Sequence, residues 1–177
     1  MTWTTFHRRG EVLRTVIEAA DARRDGRLPT DLPGVTETFD DELALLGALQ
    51  LRWHTRLSGH LERALMQQPL DIDGAAVAAW HATAEELPGV RMVLDRYRAE
   101  PLDERMGAAL ATSAAKEHVL LAAMAGRAGT TTAATAAAGR LLEERARVTY
   151  RPAPPPKPVA GHRGGGLFAR VRARVAA

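Results

Sequence analysis

The chain changes composition abruptly after Tyr150. Five of the seven residues from 152 to 158 are proline, and three consecutive glycines follow at 164–166. Proline lacks the backbone N–H that a helix needs and favours an extended polyproline conformation, so no helix continues through this stretch. The sequence therefore predicts a folded domain over residues 1–150, a Pro/Gly-rich linker over 151–166 and a short terminal segment over 167–177.

The net charge of the chain also changes after Tyr150. Residues 1–150 contain 18 basic and 21 acidic side chains, a net charge of −3, whereas residues 151–177 contain six basic and no acidic ones, a net charge of +6. The high isoelectric point of 9.9 therefore belongs to the tail. The chain contains no cysteine, which excludes disulfides and thiolate chemistry.

Apolar residues recur at helical spacing throughout the first 150 residues, and no alternating stretch is long enough to predict a strand. Prolines and glycines divide this region. We expect Asp71 or Asp73 to cap the third helix and the threonine run at 130–132 to cap the sixth. We expect helices over about 5–25, 36–68, 71–88, 90–97, 101–126 and 130–150. The predicted fold is all-α: an antiparallel bundle of five or six helices with a disordered Pro/Arg-rich C-terminal tail.

The predicted helix 36–68 has the widest apolar face, which includes Leu49, Trp53 and Leu57. A face this wide requires several neighbours, so we expect this helix at the centre of the bundle. Gly47 and Gly59 within it predict a close approach of another helix. In the fifth helix we expect an apolar stripe of Leu102, Met106, Leu110, Leu121 and Met124.

No secretory or membrane segment is expected. The one candidate apolar stretch, residues 12–22, follows two arginines but is interrupted by Arg14, Glu18 and Asp21. No stretch reaches the roughly 18 consecutive apolar residues of a membrane span. The sequence therefore predicts a cytoplasmic protein.

The last eleven residues, LFARVRARVAA, form a short basic amphipathic segment. It is too short to be a stable helix in isolation, so we expect it to fold on a partner. The whole tail, residues 151–177, has only six basic residues and one aromatic side chain, which disfavours nucleic acid. We therefore predict a non-enzymatic adaptor that docks on an acidic protein surface or an anionic membrane, through Leu167, Phe168, Arg170, Val171, Arg172, Arg174 and Val175.

Glu117 lies within the apolar stripe of the fifth helix, so its carboxylate is expected to be buried. A buried charge is costly unless it has a partner, which here means an arginine, a histidine, a hydroxyl such as that of Ser113, a metal ion, or a raised pKa. We favour a buried arginine, with no cofactor.

The alternative is a metal-binding bundle. Inward carboxylates and histidines on several helices are typical of ferritin-like proteins that bind iron or manganese, and such ligands also suit zinc. The pool of candidate ligands is Glu117, His118, His81, Glu85, Glu42 and His60. Two observations argue against a metal site. The chain has no Glu-x-x-His pair, which ferritin-like sites need on each of two helices. Glu42 also lies roughly 27 Å along the helix from His60, too far for the two to bind one ion.

Other function classes lack their motifs. Ser58 and Ser113 are the only serines, and neither lies in a Gly-x-Ser-x-Gly turn. The most basic short helix, around Arg91 and Arg98, also carries Asp95, which argues against a DNA-reading helix. The wide apolar faces of the bundle also allow a homo-oligomer.

Overall fold

A computed structural model describes residues 3–152, and within that range every regular element is a helix. The predicted all-α fold is therefore confirmed for this part of the chain. Seven helices follow one another: α1 (Trp3–Arg23), α2 (Val35–Thr38), α3 (Glu42–Gln67), α4 (Ile72–Glu86), α5 (Pro88–Ala99), α6 (Glu104–Met124) and α7 (Thr132–Thr149). Apart from Arg151 and Pro152, the predicted linker and terminal segment lie outside the described residues.

Side chains that accept a hydrogen bond from the backbone determine where the long helices begin. Asp41, Asp71 and Asp103 each accept the N–H of the residue three positions later, at 2.7–2.9 Å. Thr131 caps α7 in the same way, at 3.1 Å. Such caps satisfy N–H groups that have no partner inside the helix. The predicted caps at Asp71 and in the threonine run are confirmed.

Two predicted helix starts are wrong. The second predicted helix is two helices in the structure. Phe39 has an extended backbone that ends α2 (Val35–Thr38), and Asp41 then caps the start of α3. The fifth begins at Glu104 rather than near Pro101, because Asp103 is its cap. Leu102 consequently lies before the helix with 62% of its surface exposed, not in the buried stripe.

α3 is the central helix, as predicted. It packs against α1, α4, α5 and α6. Its buried face contains Leu45, Leu46, Leu49, Gln50, Trp53, Leu57 and Leu61. The apolar side chains of this face are removed from water, and that removal is the main favourable term in folding.

None of the helices between residues 3 and 152 is both long and apolar enough to cross a bilayer. The longest, α3, has 26 residues but carries Arg52, Arg56 and Glu62. Charges at these spacings interrupt any apolar run of membrane length.

At two glycines the backbone of another helix fills the space that a Cβ would occupy. A Cβ on Gly139 of α7 would overlap the carbonyl oxygen of His118 in α6, and one on Gly89 of α5 would overlap the backbone of Ala20 in α1. By contrast, nothing lies within 4 Å of a Cβ built on Gly47, so the predicted close approach at that position is wrong. The distinction depends on which face of each helix meets a neighbour.

Gly139→Ala should destabilise the protein, because the added methyl group meets backbone that cannot move without separating α6 from α7. We expect the free energy of unfolding to fall by about 1–3 kcal/mol. Gly47→Ala is the matched control and should raise it by roughly 0.5–1 kcal/mol, since alanine favours a helix more than glycine. Urea denaturation of both variants measures the difference. Equal effects would contradict this account of helix contact.

Candidate functional site

Glu117 of α6 is fully buried, and its carboxylate is surrounded by donors. Oε1 accepts a hydrogen bond from the Trp53 indole Nε1 at 3.0 Å, and Oε2 accepts one from Arg98 at 2.8 Å. Gln50 donates to Oε2 at 3.4 Å, and Arg91 lies 3.5 Å from Oε1. The prediction that Glu117 pairs with a buried arginine is confirmed, with two arginines rather than one.

A second carboxylate, Glu143 of α7, extends this arrangement. It lies 2.5 Å from His118 Nε2 and accepts a hydrogen bond from Arg147 at 2.7 Å. Arg147 also donates two hydrogen bonds to Asp95, at 2.7 and 3.0 Å, and Arg91 donates a third at 2.6 Å. Paired groups of this kind form a continuous network across three helices.

We call this network the buried charge cluster, after its buried members Arg91, Glu117 and Glu143. Arg98 is partly buried, and Asp95 and Arg147 form the end of the network that is open to solvent. The three positive and three negative charges of the cluster balance. Each arginine contacts at least one carboxylate at 2.8 Å or less. Pairing offsets part of the cost of taking these charges out of water, and removing one partner leaves that cost uncompensated.

Helical spacing explains how the sequence brings three of these groups together. Arg91, Asp95 and Arg98 are separated by four and three residues, which puts them on one face of α5. Glu143 and Arg147 are likewise four apart on α7. The mixed charge of α5 argued only against a DNA-reading helix. The spacing of these residues beside buried Val90 and Leu94 is the signal in the sequence that could have revealed an inward charged face.

All three carboxylates of the cluster have a lowered pKa. Burial by itself raises the pKa of Glu117, but His54, Arg91 and Arg98 together outweigh it and hold the pKa far below its usual range. His54 Nε2 is 3.7 Å from Oε2, too far for a hydrogen bond, so we give the arginines the larger share. Burial is similarly outweighed at Asp95 by Arg147 and Arg91, and at Glu143 by His118 and Arg147. The carboxylates are therefore ionised at neutral pH.

Glu117→Gln should be strongly destabilising, because it leaves buried Arg91 and partly buried Arg98 without their shared counter-charge. We expect the free energy of unfolding to fall by about 3–5 kcal/mol in a urea titration. Asp31→Asn is the control: it removes an ion pair of similar length, Arg23–Asp31 at 2.7 Å, that is exposed to water and contributes little. A Glu117→Gln variant no less stable than Asp31→Asn would refute the assigned role.

The free energy of unfolding should decrease as the pH is lowered. Because the pKa values of Asp95, Glu117 and Glu143 are lowered by folding, their contribution is complete above the pKa of an unfolded carboxyl group. It is lost as the pH falls toward the folded pKa values, so the free energy of unfolding should decrease steadily below about pH 5. This decrease should be shallower in Glu117→Gln than in wild type, and unchanged in Glu144→Gln, which alters an exposed carboxylate. Identical slopes in all three proteins would contradict the assignment.

A surface groove of about 240 Å³ lies against the buried charge cluster, between α4, α5 and the end of α7. We call it the Trp80 groove. Its apolar lining consists of Trp80, Ala84, Pro88, Met92, Tyr150 and Pro152, and its charged lining of Arg24, Arg91, Asp95 and Arg147. The cluster thus supports the groove, while apolar side chains form most of its wall.

Aromatic packing holds Trp80 in place. Its ring meets those of Trp53 and Tyr150 edge to face, with centroids 5.8 and 5.7 Å apart, and the guanidinium of Arg147 lies 5.3 Å from its ring centroid. Trp80 is 2% exposed, yet its indole Nε1 has no hydrogen-bond acceptor among residues 3–152. Buried indole N–H groups normally have a partner, so this residue of the groove lining carries an unsatisfied donor.

The predicted metal ligands on α4 and α6 contact other groups. Glu117 binds arginines, and His118 binds Glu143. His81 Nε2 lies 2.8 Å from the carbonyl oxygen of Ala146, while Glu85, one turn along α4, is exposed.

The two predicted ligands on α3, His60 and Glu42, do not contact the candidate ligands on α4 and α6. His60 lies 3.0 Å from both Glu86 and Arg63. Glu42 is exposed and lines a separate hollow of about 170 Å³ at the start of α3. Across residues 3–152, no three histidine, aspartate or glutamate side chains are grouped so as to hold a metal ion.

The predicted docking residues, from Leu167 to Val175, lie outside the described part of the chain. Comparison with known proteins adds no assignment: no family model, curated protein or solved structure matches this chain.

Proposed function

We propose that this protein is a non-enzymatic helical adaptor that docks a partner through its basic C-terminal segment, residues 167–177. The observation that carries the proposal is the separation of charge along the chain: −3 over residues 1–150 and +6, with no acidic residue, over residues 151–177. Residues 1–150, which carry a net negative charge, repel an acidic partner, whereas the positive tail attracts one. The tail is thus the part of the molecule suited to such a partner.

The position where the described chain ends supports this role. α7 ends at Thr149, and Arg151 and Pro152 are both exposed. The residues that follow therefore start from the surface of the bundle. At about 3.1 Å per residue in a polyproline conformation, a proline-rich linker is long enough to present the terminal segment well away from the helices.

The arrangement of charges inside the bundle also favours binding over catalysis. The carboxylates of the buried charge cluster, whose pKa values are lowered, are each bound by arginine. Their lowered pKa values keep them ionised and unable to donate a proton at neutral pH. Such groups stabilise a fold and fix the positions of helices, which is what a carrier for a docking segment requires.

Among acidic partners, we favour a protein groove over a membrane. The segment LFARVRARVAA has three arginines, fewer than the four to eight basic residues typical of segments that bind anionic lipid. Leu167, Phe168, Val171 and Val175 share one side of a helix, as in helices that insert into an apolar groove. The arginines then flank that side and pair with acidic residues at the rim of the groove.

Affinity capture with charge-matched variants tests this proposal. Arg170→Gln/Arg172→Gln/Arg174→Gln should reduce recovery of the partner by roughly tenfold or more, because it removes the attraction and the rim pairs. Leu167→Ser/Phe168→Ser/Val171→Ser should do the same at unchanged charge. The control removes three exposed arginines from the body: Arg8→Gln/Arg14→Gln/Arg145→Gln. Mass spectrometry identifies proteins recovered by wild type and the control but by neither tail variant.

The possible results of this experiment either support the proposal or overturn it. Both tail variants should keep the wild-type melting temperature, since their changes lie beyond α7. If all three variants recover the same proteins as wild type, the proposal is wrong. Preferential binding of wild type to phosphatidylserine vesicles over phosphatidylcholine vesicles, lost in both tail variants, would assign the segment to a membrane and overturn the protein groove.

A further inference from the structure

The Trp80 groove has two features of an incomplete binding surface. Met92, on its wall, is 40% exposed, and the indole Nε1 of buried Trp80 has no acceptor within the described residues. An occupant that satisfies both must be apolar and must carry a hydrogen-bond acceptor. Aromatic grooves with these properties recognise polyproline segments, whose backbone carbonyl groups make no internal hydrogen bonds.

The chain itself supplies such a segment at the edge of this groove. Tyr150 and Pro152 already line the groove. The next six residues, 153–158, read APPPKP. In a polyproline conformation these six residues span about 19 Å, more than the roughly 8–10 Å between the axes of neighbouring packed helices. The segment therefore has both the composition and the length to cross the groove from where the chain enters it.

We propose that residues 153–158 of the same chain occupy the Trp80 groove as a polyproline segment. A carbonyl oxygen of the segment accepts the Trp80 indole N–H, and its proline rings cover Met92 and Pro88. This contact goes beyond the adaptor role and is independent of residues 167–177. It also shortens the free linker, which then begins at Val159.

Tethering favours the chain's own segment over a competing one. A segment joined directly to Pro152 has an effective concentration in the millimolar range, so even a weak contact is occupied. Proline also loses little conformational freedom on binding, because its φ angle is already fixed. A proline-rich segment that begins at the groove therefore has an advantage over the same sequence supplied by another molecule.

A proline-to-serine exchange in the full-length chain tests the contact. Pro154→Ser/Pro155→Ser/Pro156→Ser should leave the helices intact but free the groove, which moves the NMR signals of the Trp80 indole N–H and the Met92 methyl group. Adding the free peptide APPPKPV should return both signals toward their wild-type positions. Wild type should bind that peptide at least about ten times more weakly than the variant, since its own segment competes. The peptide ASSSKSV should bind neither.

A matched pair of surface changes locates the contact. In the triple-serine background, Met92→Lys should weaken binding of APPPKPV by about tenfold or more, because a charge replaces an apolar wall. Leu102→Lys makes the same exchange at an exposed residue away from the groove and should have no effect. Signals unchanged between wild type and the triple-serine variant would overturn the proposal. Wild-type signals that vary with protein concentration would also overturn it, since a second copy would then be the occupant.

The contact is separable from the docking role of the tail. Arg170→Gln/Arg172→Gln/Arg174→Gln should leave the Trp80 and Met92 signals at their wild-type positions. Movement of those signals in the arginine variant would show that the terminal segment, not residues 153–158, occupies the groove, and would refute the inference. Loss of partner capture without such movement leaves it supported.

Discussion

The structure depends on how the charge of Glu117 is accommodated. A carboxylate with no exposed surface would destabilise a bundle of this size if it lacked partners, because its desolvation costs several kcal/mol. Here the indole of Trp53 and the guanidinium groups of Arg91 and Arg98 converge on it. One side chain thus joins α3, α5 and α6 at a single point, and the wider cluster adds α7 through Glu143 and Arg147.

This polar cluster has a specific use in an alanine-rich protein. α6 and α7 pack closely with few large side chains between them, and apolar contacts among alanines discriminate poorly between one register and the next. Directional bonds such as His118–Glu143, together with the fit of Gly139 against His118, favour one register. The same cluster places Arg147 and Asp95 in the lining of the Trp80 groove, so the feature that orders the core also shapes this groove.

Local patterns in the sequence predicted most of the helices. The stripe around Trp53 identified the central helix, and capping at Asp71 and in the threonine run identified two helix starts, because both depend on residues within a few positions of each other. Errors arose where local signals competed. Asp41 and Asp103 proved stronger start signals than the residues before them, and Gly47 carried no information about contact because it faces away from every neighbour.

The sequence by itself determined that residues 3–152 form helices, that Glu117 is buried and that the basic charge is concentrated after Tyr150. These properties follow from spacing and composition, which are local. Only the tertiary structure decided that Arg91 and Arg98 are the partners of Glu117, that the candidate metal ligands contact other groups, and that Pro152 lies in a groove with Trp80. Trp53 and Glu117 are 64 positions apart, and helical periodicity carries no information over that distance. Their pairing results from how whole helices pack.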